Sequence, residues 1–128
     1  MKESKFTVLI AEDDEISFEL YRIRLEQFDL NLLHATDGQK AVNFAKENPQ
    51  IQLILMDIRM PVLNGYEATE KIREFNKTVP IIAQTAFAMI PEQKIILQSG
   101  FTDFLSKPIE EERLVNLIWK YMKTESSA

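Results

Sequence analysis

Five short apolar runs, each followed by a stretch of helical periodicity, most constrain what this chain can fold into. Residues 6–11, 31–35, 51–56, 80–84 and 102–106 read as strands. Helices are predicted over 15–28, 40–47, 66–75, 91–99 and 110–122. Asp13 or Asp14 supplies the first N-cap; along that helix Ile16, Leu20 and Ile23 share a face, with Phe18, Tyr21, Leu25 and Phe28 beside them. Thr36-Asp37-Gly38 is a turn, Asn48-Pro49 stops the second helix and Gly100 ends the fourth. Strands alternating with helices give an α/β fold, a doubly wound five-stranded parallel sheet, and near-continuous apolar strands suit a sheet covered on both faces. One domain is expected over 1–128, with a core of about 6–122 and polar tails at 1–5 and 123–128.

Composition removes several classes of function. The chain has no cysteine, hence no disulfide, thiolate metal site or cysteine nucleophile. Its 15 basic and 20 acidic residues give a formal −5, which argues against nucleic acid as a direct partner. No run approaches the roughly 20 apolar residues of a membrane helix, and the apolar run at 6–11 is too short for a signal peptide. The expected location is the cytoplasm, free or tethered to a membrane-bound parent.

Doubly wound sheets bind ligands at the carboxyl ends of their strands, where strand order reverses. In the order 2-1-3-4-5 that point lies between strand 1, which runs into Glu12-Asp13-Asp14, and strand 3, which runs into Asp57. Strand 4 leads to Thr85 and strand 5 to Lys107. Converging carboxylates repel one another, and one lysine does not balance them. An oxygen-only ligand set without His or Cys suits Mg²⁺, with Mn²⁺ as a substitute. An aspartate nucleophile, a metal, a lysine and a hydroxyl together are equipment for phosphoryl transfer.

Four segments carry a resemblance to a known family: Ile10-Ala11-Glu12-Asp13-Asp14, Met56-Asp57-Ile58-Arg59-Met60-Pro61 with Gly65, Gln84-Thr85-Ala86, and Phe104-Leu105-Ser106-Lys107-Pro108. In that order, each after a predicted strand, they resemble the receiver domain of two-component response regulators over essentially the full chain. Met60 to Thr69 is most similar to receivers of hybrid sensor histidine kinases. The resemblance implies a flavodoxin-like (βα)5 fold and a place in a phosphorelay. It makes Asp57 the phosphoacceptor, and Asp13, Glu12 (through water), Asp57 and the Arg59 carbonyl the metal ligands. Lys107 pairs with Asp57 and then with the phosphoryl oxygens. Thr85 and Phe104 form the switch, and the peptide before Pro108 is cis. The implied donor is a histidine kinase or a histidine phosphotransfer domain. The implied output is a switched face of helix 4, strand 5 and helix 5, which could also support a homodimer.

Other readings compete. A haloacid-dehalogenase-type phosphatase needs a second Asp two residues after the nucleophile, where this chain has Arg59. Flavin binding needs a phosphate-friendly loop where Glu12 to Asp14 stand. A degenerate receiver that only binds partners would not need the full set of acids, Thr85 and Lys107. As a domain the chain is read as a phosphoacceptor rather than an enzyme. Arg59 and Phe87 flank the site where phosphoryl lifetime would be tuned. Asn64 stands where an acid is common in the family. His34, the sole histidine, reads as incidental, and Met56, Met60, Met89 and Met122 as packing residues. The apolar stretch Ile90, Ile95, Ile96 and Leu97 fits either core or partner surface.

Overall fold

The structure, a computed structural model, describes residues 5–86 and 88–126, without the side chains of 124–126. Phe87 and the extreme ends of the expected tails lie outside the described residues. The element order is β1 (Phe6–Ala11), α1 (Glu15–Leu25), β2 (Leu30–Ala35), α2 (Gly38–Glu47), β3 (Leu53–Asp57), α3 (Gly65–Arg73), β4 (Ile81–Thr85), α4 (Ile90–Gln98), β5 (Asp103–Ser106) and α5 (Glu111–Ser126). All neighbouring strands are parallel, in the order β2-β1-β3-β4-β5. The expected doubly wound, flavodoxin-like sheet is therefore the one observed.

Because side chains alternate across a strand, the sheet feeds two cores. Val8, Ile10, Leu53, Leu55, Ile82 and Leu105 pack under Tyr21 and Leu25 of α1 and Leu114, Leu117 and Ile118 of α5. Leu9, Ala11, Ile54, Met56, Ile81 and Ala83 pack under Ala41 and Val42 of α2, Ala68 and Ile72 of α3, and Ile96 of α4. Caps set the helix starts: Asp14 accepts from Ser17 N at 2.9 Å and Asp37 from Lys40 N at 2.7 Å. Asn64 and Glu67 form a reciprocal capping box, so Asn64 opens α3.

Several expectations need correction. The inward face of α1 is Phe18, Tyr21 and Leu25, whereas Ile16, Leu20 and Ile23 are exposed. Two apolar stripes competed on that helix, and periodicity does not say which one meets the sheet. The helix ends at Leu25 rather than 28, because Glu26 and Phe28 turn back to bond Ile23 O and Leu25 O. Met89 is exposed, and α4 buries Ile96 alone while Ile90, Ile95 and Leu97 face out. Residues 123–126, expected as tail, continue α5. The remaining boundaries move by one or two residues.

The β3–α3 connection contains an exposed residue in a costly conformation. Val62 has φ 71°, and Leu63 N bonds Pro61 O at 2.8 Å across it, a three-residue turn with a β-branched residue at its centre. Val62→Asn, which tolerates this region better, should raise stability by about 1 kcal/mol in urea denaturation. No gain would show that the turn relaxes at no cost.

Candidate functional site

Parallel strands deliver their C-terminal residues to one edge. The pairs Ile10↔Leu55 and Ala11↔Met56 bring the residues after β1 beside the end of β3. Ligand oxygens of Glu12, Asp13 and Asp57 lie within 4.8 Å of one another. Glu12 and Asp57 are buried and Asp13 is exposed, so the cluster is rooted in the sheet and open at its rim.

The lysine arrives from β5. Lys107 N bonds Thr85 O at 2.8 Å, and its Nζ donates to Asp57 Oδ2 at 3.0 Å and lies 3.8 Å from Glu12 Oε1. The Lys107–Pro108 peptide is cis, as expected. Asp57 Oδ1 accepts from Arg59 N at 3.2 Å, which folds the β3–α3 loop back over the acid. The sheet thus brings together Glu12, Asp13, Asp57, Lys107 and the Arg59 backbone. Thr85 is buried at the tip of β4, and Phe104 pairs with Ala83 in register and packs against the core under α2, α3 and α4. Alternation turns Thr85 and Phe104 towards that same core.

Lys107 Nζ faces Asp57 and Glu12, while the clustered carboxylates repel one another. Burial, and next the charge of Asp57, push the Glu12 carboxyl up from its ordinary 4.5 to about 7. Glu12 Oε1 is buried without a hydrogen-bond partner. An oxygen-only cluster with an orphaned buried oxygen fits a hard divalent cation.

The proton linkage has a definite sign. Folded Glu12 holds its proton more tightly than the unfolded chain does, so this group stabilises the metal-free protein most below about pH 4.5 and loses that contribution as pH rises through about 7. The shift bounds the effect at about 3 kcal/mol. Urea titrations between pH 5 and 8 in EDTA should show stability falling, and Mg²⁺ should flatten the slope. A profile already flat in EDTA would refute this electrostatic picture.

Two residues of this edge were not legible as site neighbours. His34 Nε2 lies 2.7 Å from the Glu12 carbonyl oxygen, with its ring stacked on Phe18. The adjacency of strands 2 and 1 could have suggested this, since both end at the same edge. Gln84 is fully buried beside Asp57 in the β3–β4 register, and neither atom of its amide has a partner among the described residues.

A doubly wound sheet with an acid triad and a lysine at its switch point defines a class of protein: an α/β domain whose carboxylates, clustered at one sheet edge, could hold a cation. Residues 8–119 match the family described as response regulator receiver domain, and the chain belongs to that family of two-component systems. It is 40% identical over 123 residues to the signal transduction histidine-protein kinase BarA of Escherichia coli, covering 93% of this chain but 13% of that protein. The chain thus spans about an eighth of the length of that curated relative. The receiver domain of sensor histidine kinase PA1611 from Pseudomonas aeruginosa, solved with magnesium coordinated in the active site cleft, superposes with TM-score 0.84 at 32% identity, covering 94% of this chain and 99% of that one. A structure of the Saccharomyces cerevisiae histidine phosphotransfer protein Ypd1 with the receiver domain of Ssk1 matches with TM-score 0.86 at 34% identity, covering 91% and 88%. No described helix is long and apolar enough to cross a membrane.

Proposed function

We propose that this receiver domain takes a phosphoryl group from a phosphohistidine onto Asp57 and uses the new charge to switch a partner-binding face. The observation that carries this reading is the Lys107–Asp57 contact of 3.0 Å beside the convergent acids. An Asp57 carboxylate oxygen attacks phosphorus, the P–N bond breaks, and the departing imidazole keeps the electron pair. Lys107 follows charge from the carboxylate onto the phosphoryl oxygens. Glu12, Asp13, Asp57 and the Arg59 carbonyl would hold Mg²⁺ or Mn²⁺. The ion, when bound, neutralises charge on the transferring group. In the switch, Thr85 gains a contact to the phosphoryl group and Phe104 follows it. Moving such an equilibrium from 1:99 to 99:1 takes about 5.5 kcal/mol of differential stabilisation.

Two exposed apolar faces support roles for partners. Ile16 and Leu20 stand in the first turns of α1, next to the acid edge, where a helical histidine phosphotransfer domain or a histidine kinase would approach. Ile90, Ile95 and Leu97 line α4, the side expected to carry output or a second copy. The phosphatase reading lacks its second acid, since Arg59 occupies that position.

The test uses two labelled donors, a phosphorylated histidine phosphotransfer protein and acetyl phosphate. With Mg²⁺, both should deliver an alkali-labile label, and EDTA should suppress it at least about tenfold. Leu20→Asp should slow transfer from the protein donor only. Undiminished labelling in EDTA would overturn the role of the ion. Failure of both donors would overturn the whole reading.

A further inference from the structure

The acidic turn is held from behind by a residue that the phosphoryl chemistry does not use. β2 runs beside β1 with Ile10 opposite His34 and Ala11 opposite Ala35. Just past that pairing, Glu12 N donates to Ala35 O at 2.9 Å, and the Glu12 carbonyl meets His34 Nε2 at 2.7 Å. Since a carbonyl only accepts, Nε2 carries the hydrogen. The imidazole lies flat on Phe18 of α1, with centroids 3.8 Å apart and planes 2° from parallel. Strand β2 and helix α1 therefore aim one ring nitrogen at one peptide oxygen.

That peptide joins Glu12 to Asp13. Glu12 is held at its N–H by Ala35, at its carbonyl by His34, and at Oε2 by the N–H of Asp14 at 3.2 Å. Asp13 is the exposed acid of the cluster and follows directly from the clamped peptide. Fixing a ligand's backbone before the ion arrives removes ordering cost from binding.

We infer that His34, pinned by Phe18, is a positioning residue that presets the Glu12–Asp13 peptide and so raises the affinity of the acid cluster for a divalent cation. This rests on reading Glu12 and Asp13 as cation ligands. With its hydrogen engaged by the carbonyl, Nε2 is not a further ligand in this arrangement.

Mn²⁺ binding to the full chain, measured by calorimetry and by electron paramagnetic resonance, tests the clamp without any phosphoryl donor. His34→Phe keeps a ring against Phe18 and loses the donor; its Mn²⁺ dissociation constant should rise about five- to tenfold, the equivalent of one net hydrogen bond. His34→Gln places an amide N–H at similar reach and should recover most of that loss. Phe18→Leu keeps the nitrogen, frees the ring and should weaken binding about twofold, which keeps the idea testable if His34→Phe does not fold. A merely structural histidine would lower the melting temperature in these variants and leave Mn²⁺ affinity unchanged, and that result overturns the proposal. Asp13→Asn separates the two levels: if it binds Mn²⁺ as tightly as the parent chain, the cation site itself is wrong and the clamp falls with it. If Asp13→Asn weakens binding and His34→Phe does not, only the clamp is refuted.

Discussion

An Asp57→Asn variant should take up no label from either donor, a loss that is complete rather than graded. The substitution is nearly isosteric at a buried position, and an amide oxygen can still accept from Arg59 N. On the proposed reading, what disappears is the anionic oxygen that would attack phosphorus, and no other carboxylate should take its place. Glu12 is committed to the Asp14 N–H and faces Lys107, while Asp13 sits at the exposed rim. The variant should fold, because removing one of the convergent acids relieves repulsion. Its signature is a fall in the Glu12 carboxyl, since the Asp57 charge is the second cause holding it near 7. Labelling assays with both donors, together with a carboxyl titration followed by NMR, check this. Undiminished label on the folded variant would move the phosphoacceptor elsewhere.

The second large effect is expected at a residue with no chemistry of its own. A Cβ at Gly65 would stand 2.4 Å from the carbonyl oxygen of Asp57 and 2.8 Å from Ile58 Cα, both backbone atoms. Gly65 N also bonds Ile58 O at 2.8 Å, so α3 begins in direct contact with the residue that follows Asp57. A methyl group there meets the end of a central strand rather than a flexible side chain. Gly65→Ala should cost about 3 kcal/mol in urea denaturation and impair phosphoryl uptake by shifting Asp57. At Gly38 the clash is closer, 2.0 Å to Leu63 O, but it falls on a loop that can move more readily. A loss below about 1 kcal/mol in Gly65→Ala would mean that α3 slides away freely.

Much of this edge was readable from the chain itself, for a geometric reason. In a parallel sheet the residue after each apolar run arrives at the same edge, so Glu12, Asp57, Thr85 and Lys107 could be placed together by counting strands. What resisted reading was direction. Ile16, Leu20 and Ile23 keep as good a helical period as Phe18, Tyr21 and Leu25, and only packing decides between them. The Met89 side chain is compatible with core and solvent alike. Gln84 is a polar residue inside an apolar strand, and nothing local says that its amide would be sealed beside Asp57. His34 offers no motif at all; its contact with Glu12 exists only because an edge strand ends level with its neighbour.

A guanidinium on α1 ties two distant parts of the chain. Arg24 Nη1 donates to the carbonyl oxygen of Ile109 at 2.6 Å, two residues beyond Lys107. The helix whose outer ridge is apolar is thereby fastened to the hinge that carries the ammonium. On the proposed reading, a partner seated on that ridge would rest one hydrogen bond away from the segment that places Lys107 against Asp57, so the surface that receives a donor and the charge that awaits it share a single tether.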